Sequence, residues 1–410
     1  MSARTTTVHR GRWSLQDRLD ATLRELPFEV APGTAAVTVE LSYDRSAGVL
    51  DLGCLGADGF RGWSGGARTT YTIAADWATP GYLPGELEPG VWRVLLRLHR
   101  IPPDGLDHEV RVTTATARPA PPAPPAAPEP DLARRPAARR RRDIPSVDGL
   151  HWYAGDLHSH TVHSDGALTV PELAFLAADR GLDFLAVTDH NTVSHHPELA
   201  GAGARYGITL LPGQEVTRDE GHANVFGDVG WVDFREGADS WHAHARGRGG
   251  IMSVNHPLGG DCAWRLLIAD RPRHAEIWHS GWFDRRWGAP LSWSGAWRPD
   301  VIAVGGSDFH RKGDDHLPGA PTTWLLAEDD SPDALLAALA AGRTAVSAGP
   351  DAPLLLRQGD RCVALGADGT VLVRPDGRRR VVHGDRTTLP ADAGPHRLES
   401  HENEVIALCQ

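Results

Sequence analysis

The chain has 410 residues, 41% hydrophobic and 23% charged, the make-up of a globular protein with room for two or three cores. A formal net charge of −11 argues against broad capture of nucleic acid, leaving at most a terminal nucleotide whose phosphates metal ions neutralise. The opening MSARTTTVHRGRWSLQ lacks the apolar stretch of a secretory signal, no membrane-length apolar run follows, and Cys54, Cys262, Cys362 and Cys409 are scattered as free thiols; a cytoplasmic protein is expected.

In chain order, residues 1–115 contain AAVTVELSYD, TTYTIAAD, GVWRVLLRLHR and HEVRVTTA. These β-branched, partly alternating runs are separated by Gly, Pro and Asp, the pattern of a small antiparallel β-sandwich. Residues 116–147 are rich in Pro and Ala and end in clustered arginines, which predicts an extended linker; the arginine run is either solvated or an anion patch. Such a tether predicts that a protein beginning near Ser146 folds and binds metal by itself.

From 148 to 350, short apolar runs alternate with helical segments. LTVPELAFLAADRG has the Thr169-x-x-Glu172 capping-box spacing, Pro171 in its first turn and Gly181 as its stop, so a helix is predicted there. FLAVTDHN, ITLLPGQEV, HANVFG, IMSVNHP, AEIWHS and VIAVGGSDFH read as strands. Strand and helix in repetition imply parallel β/α construction with a site at the C-terminal rim of a barrel. Residues 351–410 read as short strands with Gly-Asp turns, a short β appendage.

The stretch GDLHSHTVHSDG, residues 155–166, concentrates three histidines and two aspartates, ligand types for zinc, manganese or iron. Histidines at i and i+2 share one face of a strand, although the bare pattern fits a polar surface loop equally well. The remaining strand ends add to the set. His158, His160 and Asp165 are followed by His190 in TDHNT, Glu215 in GQEV, His222 in GHANVFG, His256 in NHP, and Asp308 with His310 in GSDFH.

In that order, His-x-His with Ser-Asp-Gly, Thr-Asp-His, an isolated Glu, Asn-His-Pro and Gly-Ser-Asp-x-His resemble the polymerase and histidinol phosphatase (PHP) superfamily of metal-dependent hydrolases, over roughly 148–350. A β-sandwich ahead of that unit further resembles the CehA/McbA-like branch. The resemblance implies an α/β fold, a distorted (β/α)7 PHP-type barrel, holding two or three divalent ions (Mn, Zn or Fe). By that likeness His158, His160 and Asp308 hold one ion, and Glu215 bridges to a second held by His222 and His256. Asp165, His190 and His310 hold a third; Asp165 stands where many members carry a histidine, so the third ion is left open. Glu215, His222 and Asp308 lie at the reacting centre, and a metal-bridged hydroxide attacks a phosphoester.

Three functions stay open: a phosphoesterase, a carboxylic ester or carbamate hydrolase using the same metals, and a non-catalytic binding module. The substrate is expected to be a small anionic or aromatic molecule; the oligomeric state is undetermined. Asp189 is a candidate to orient a histidine. His163, His195, His196 and His316 read as surface histidines or a general acid, and His242, His244, His274 and His279 as structural or solvated. Arg311 and Lys312, the chain's only lysine, are candidate anion contacts. Trp264, Trp278, Trp282, Trp287, Trp293 and Trp297 either line the substrate or pack a long insertion.

Overall fold

A computed structural model describes residues 4–123, 125–129, 144–260, 262–282, 286, 288–314 and 316–410; the arginine run at 134–142 and Trp287 lie outside them. The chain forms two compact units. The first holds the described part of 1–126 together with Val162–Asp165 and Asp189–His195; the second holds the described parts of 127–161, 166–188 and 196–410.

In the first unit, β1 (Arg4–Trp13), β8 (Leu106–Ala115), β3 (Ala36–Tyr43) and β6 (Thr70–Ala74) form one antiparallel sheet. β2 (Leu23–Val30), β7 (Gly90–Arg100), β4 (Val49–Leu55) and β5 (Phe60–Gly65) form a second. Alternate residues supply a shared core: Val37, Val39 and Leu41 with Val110 and Val112 from the first sheet, and Leu50, Leu52, Leu96 and Leu98 from the second. Each such side chain contributes about 1.5–3 kcal/mol on burial. The sequence reading overlooks four of these strands. β1 (RTTTVHRGRW) has no fully buried residue, so it carries no apolar face to alternate. β2 carries Pro27 and three charges, and β4 and β5 are interrupted by bulges at Leu52/Gly53 and Cys54/Leu55 that break the two-residue period.

In the second unit, β9 (His151–Asp156), β10 (Phe184–Val187) and β11 (Thr209–Arg218) run parallel, as do β13 (Ile251–Val254), β14 (His274–His279) and β15 (Ile302–Gly306). Between these groups β12 (Gly221–Phe226) pairs antiparallel with both β11 and β13. Strict β/α alternation therefore fails here. Only Asp219 and Glu220 separate β11 from β12, and so short a connection makes a hairpin, whereas a parallel crossover needs about a dozen residues. At the other edge β9 pairs antiparallel with β16 (Thr322–Ala327), which pairs with β17 (Thr344–Ser347). The Thr323 hydroxyl donates to Gly305 O (2.9 Å) and accepts from Gly305 N–H (2.8 Å), and Thr344 Oγ1 donates to Ala303 O (3.1 Å), tying β15 to β16 and β17 without a ladder.

Helix α2 (Val170–Asp179) follows β9. Its N-cap Thr169 and Glu172 form the full capping box, Val170, Leu173, Ala174, Ala177 and Ala178 are buried, and Gly181 at φ +81° ends the turn. Part of the final stretch joins the large sheet, where β24 (Val405–Cys409) pairs with β17, while Leu354–Gln358, Arg361–Leu365 and Arg386–Pro390 form a separate three-stranded antiparallel sheet. All four cysteines are free thiols, with Cys362 and Cys409 buried at 3.6 Å, sulfur to sulfur. Among the described residues no helix is long and apolar enough to cross a membrane.

The first unit takes in two segments from beyond the boundary read at residue 148. Val162–Asp165 and Asp189–His195 hydrogen-bond to Arg68 and Gly81, which a chain beginning near Ser146 lacks. Deleting residues 1–126 is expected to leave both segments open to proteinase K under conditions where the full chain resists. Equal resistance of the two proteins, read by mass spectrometry of the fragments, would contradict this.

Candidate metal centre

The second unit gathers imidazoles and carboxylates at its strand ends. His158 and His160 follow β9, Glu215 lies on β11, His222 on β12, His256 just past β13, and Asp308 just past β15. Glu215 is fully buried at their centre. Its Oε1 lies 3.2 Å from His158 Nε2, 3.1 Å from His222 Nδ1 and 3.2 Å from His256 Nε2, and accepts a 2.8 Å hydrogen bond from Asn255 Nδ2; its Oε2 is 3.6 Å from His160 Nε2. Asp308 Oδ1 lies 2.9 Å from His160 Nε2 and 3.1 Å from His158 Nε2. His158, His160, Glu215, Glu276 and His256 are buried, whereas His222, Asp308 and His310 are half-buried and form the solvent side.

Backbone strain collects at this site. His256 (φ +25°) and Asp308 (φ +54°) are two of the five described non-glycine residues with positive φ. Such conformations cost about 1–3 kcal/mol each and persist where surrounding contacts impose them. Glu276 supplies part of that imposition. Its Oε1 is 2.7 Å from His158 Nδ1, and its Oε2 accepts the His256 backbone N–H at 2.8 Å. Gly306 makes room for it, since a Cβ there would stand 2.1 Å from Glu276 Oε1 and 2.6 Å from His158 Cβ. Asp156, from the opening motif, is no ligand. It accepts backbone N–H groups from His158 (3.1 Å), Ser307 (3.0 Å) and Gly319 (2.8 Å), fastening β9 to the segments after β15.

The donor set fits divalent cations. The ligand atoms offered by His158, His160, Glu215 and Asp308 lie within 4.8 Å of one another, and imidazole with carboxylate suits zinc, manganese and iron. His158 Nε2 is buried between two carboxylates yet makes no hydrogen bond among the described residues. Burial would push the His158 proton off, but Asp308, Glu276 and Glu215 outweigh it and hold the imidazole well above its usual range. His256 is likewise raised against burial, by Cys262 and Glu215. Burial would raise Asp308 and Glu276, yet the surrounding imidazoles, His158 foremost, hold both below the usual carboxylate range. In the metal-free protein, protons stand where cations would balance the buried carboxylates.

Other residues named from the sequence are placed as follows. The His310 ring stacks on His160 with centroids 4.2 Å apart. Asp165 and His190 belong to the first unit, with His190 Nε2 3.6 Å from Asp165 Oδ1. Asp189 faces a histidine, His195, at 3.2 Å. His163 and His195 are buried, which corrects their reading as surface groups: His163 Nδ1 is 2.8 Å from Ser194 Oγ. Arg311 and Lys312 are exposed. Trp278 and Trp282 are buried in a core onto which Trp264, Trp293 and Trp297 pack, with Trp293 stacked on Trp297 at 5.1 Å, so these rings hold the insertion on the sheet. Trp282 also lies 5.5 Å from the His279 ring.

The sequence reading passes over Glu276 and takes His279 as structural or solvated, whereas His279 Nε2 is 3.4 Å from Asp308 Oδ2. Three residues apart on a regular strand they would face opposite ways. A bulge between Glu276 and Trp278 shifts the register and brings both to the site.

Geometry thus defines a buried histidine and carboxylate centre whose donors suit a divalent cation. Residues 156–255 match the PHP domain family. The chain is 46% identical over 70 residues to a 3',5'-nucleoside bisphosphate phosphatase of Chromobacterium violaceum, 17% of this chain and 25% of that one. It is 39% identical over 62 residues to a 5'-3' exoribonuclease of Haemophilus influenzae, 15% of this chain and 23% of that one. It therefore spans about a quarter of the length of these curated relatives. A solved two-domain protein of Bacteroides vulgatus, containing a predicted PHP-like metal-dependent phosphoesterase, superposes with a TM-score of 0.41 at 17% identity, over 66% of this chain and 90% of that one.

Because His158 and His256 are raised and cations require neutral imidazole, metal binding is expected to expel protons near pH 7. Apparent affinity should rise about tenfold per pH unit for each proton expelled, until the pH passes the raised values. Calorimetry in buffers of different ionisation enthalpy measures the release; a buffer-independent enthalpy would contradict it.

Proposed function

We propose that the chain is a metal-dependent phosphoesterase whose centre lies on β9–β15, a distorted seven-strand PHP-type barrel. The observation that carries this is Glu215, one buried carboxylate that His158, His222 and His256 approach at Oε1 and His160 at Oε2. In this reading His158, His160 and Asp308 would hold one cation and Glu215, His222 and His256 a second. Divalent cations bound there supply Lewis acidity, activating water near neutral pH and stabilising charge that builds on the attacked phosphoryl oxygen.

The protein's residues do the positioning. Glu276 fixes the tautomer and tilt of His158 by accepting a hydrogen bond from its Nδ1–H, leaving Nε2 to face the centre. Asn255 holds the Glu215 carboxylate through Oε1, and the Asn255 side-chain carbonyl in turn accepts the Asn224 backbone N–H at 3.1 Å. The half-buried edge of His222, Asp308 and His310 is the side from which a small anionic substrate enters, with Arg311 and Lys312 just beyond it in the chain. The phosphoester reading is supported by the matched relatives, whose names denote a phosphatase and an exoribonuclease. The two sheets of the first unit suit the CehA/McbA-like branch, for which an ester or carbamate is the competing substrate.

Turnover of bis(p-nitrophenyl) phosphate is expected in the presence of Mn2+ or Zn2+, to vanish on dialysis against a chelator and to return with metal. Glu215→Gln should lower kcat at least about 100-fold, beyond the 10–100-fold typical of residues one layer further out, while His242→Ala on α4 (Ala238–Gly247) leaves it unchanged. Turnover of an aryl carbamate with none of the phosphodiester would overturn the substrate class, and full activity after chelation would overturn the metal reading.

A further inference from the structure

Two imidazoles reach the buried centre of the second unit with opposite hydrogen bonding, and this separates their roles. His158 Nδ1 donates to Glu276 Oε1 at 2.7 Å, so Nδ1 keeps its proton and Nε2 is left for a cation. His279 is reversed. Gly281 N–H donates to His279 Nδ1 at 3.1 Å, and a ring nitrogen that accepts carries no proton. The ring's proton is therefore on Nε2, because a proton on Nδ1 would set two donors against each other. Glycine permits this approach: a Cβ on Gly281 would already stand 3.2 Å from His279 Nδ1 and 3.4 Å from Cε1.

That proton faces the centre. His279 is 9% exposed, its Nε2 makes no hydrogen bond among the described residues, and Asp308 Oδ2 lies 3.4 Å from it. The other oxygen of the same carboxylate, Oδ1, is the one beside His160 and His158. Asp308 thus has a cation side and an imidazole side. A buried N–H is expensive to leave without an acceptor, and hydrogen bonds of catalytic sites that are long before ligands bind commonly tighten once they do. Both partners are held for the contact. Ser280 Oγ donates to Ser307 O at 2.7 Å, fastening the residue after His279 to the residue before Asp308. Asp308 N–H donates to His158 O at 3.0 Å. The His279 ring meets the His256 ring edge to face at 5.1 Å, and Trp282, which lies 5.5 Å from it, is pinned by its own Nε1–H to Ile277 O at 2.8 Å.

We propose that His279 is a positioning residue of the metal centre and not a ligand: its Nε2–H holds Asp308 Oδ2 and thereby aims Oδ1 at the cation shared with His158 and His160. This rests on the reading of Asp308 as a ligand given above. His279 lies close enough to Glu276 and His158 for the three to hold an ion together, but an Nε2 that carries the ring's proton has no lone pair to give a cation. The bulge between Glu276 and Trp278 therefore delivers two groups of one kind. Glu276 orients His158 and His279 orients Asp308, each acting on the side of the ligand that faces away from the cation.

The test uses full-length protein in four forms: wild type, His279→Ala, His279→Gln and His279→Asn. A Gln amide N–H reaches the region of the imidazole Nε2–H, whereas the shorter Asn places its amide near Nδ1. Each form is dialysed to equilibrium against graded Mn2+ and, separately, Zn2+, and bound metal is counted by elemental analysis. The ring proton is located in metal-free wild type by NMR with 15N-labelled histidine, the His279 signals being those lost in His279→Gln. Wild type should show the Nε2–H tautomer at His279. His279→Ala and His279→Asn should bind one cation about 10–100-fold more weakly, while His279→Gln binds as wild type does. Should His279→Ala lose its fold, the Gln and Asn forms decide. An Nδ1–H tautomer, wild-type affinity in His279→Asn, or equal weakening in the Gln and Asn forms would each overturn the positioning role alone. Wild type that binds neither ion would overturn the metal reading and the positioning role with it.

Discussion

The second unit is organised around a charge that has no right to be dry. Glu215 is a fully buried carboxylate, and removing such a group from water costs several kcal/mol unless partners replace its hydration. Asn255 and the rings of His158, His222 and His256 supply that replacement at Oε1; His158 follows β9, His222 lies on β12, and Asn255 and His256 both follow β13. The sheet can thus be understood as the device that brings three remote parts of the chain to one oxygen. Truncating any one partner would leave the others facing an uncompensated charge, which makes the centre collectively rather than pairwise stable.

The hairpin of β11 and β12 follows from the same demand. With β12 reversed, Glu215 and His222 lie seven residues apart in the chain, and β12 pairs Glu215 with Asn224 in register. Asn224 then fastens the floor, donating through Nδ2 to Leu157 O at 3.1 Å just ahead of His158. A parallel crossover at this point would have spent a helix on separating two groups that must meet.

Much of this was legible in the sequence, and the reasons are local. An apolar strand that ends in Asp, His or Asn announces a site because the strand core and its polar rim are adjacent in the chain, as in TDHN, NHP and GSDFH. The capping box of α2 is legible for the same reason: Thr169 and Glu172 act within one turn. What escaped was non-local or out of phase. Glu276 and His279 reach the centre through a bulge that no periodicity encodes. The grip of Arg68 and Gly81 on residues 162–165 and 189–195 spans about a hundred positions and uses main-chain carbonyls and amides, which leave no mark in composition.

The discontinuous first unit also has a consequence for synthesis. Domains ordinarily fold from the N-terminus as they emerge, at about 5–20 residues per second. Here the strands of residues 4–115 are complete long before the chain has delivered Asp189–His195, the last segment that packs into the same unit. Between residues 126 and 195 the nascent protein carries finished sheets whose Gly81 turn and Arg68 guanidinium still await their partners, while β9, α2 and β10 are being made. For several seconds in each round of translation the buried polar network of the first unit is open to water, and that interval is when a chaperone or a protease meets it.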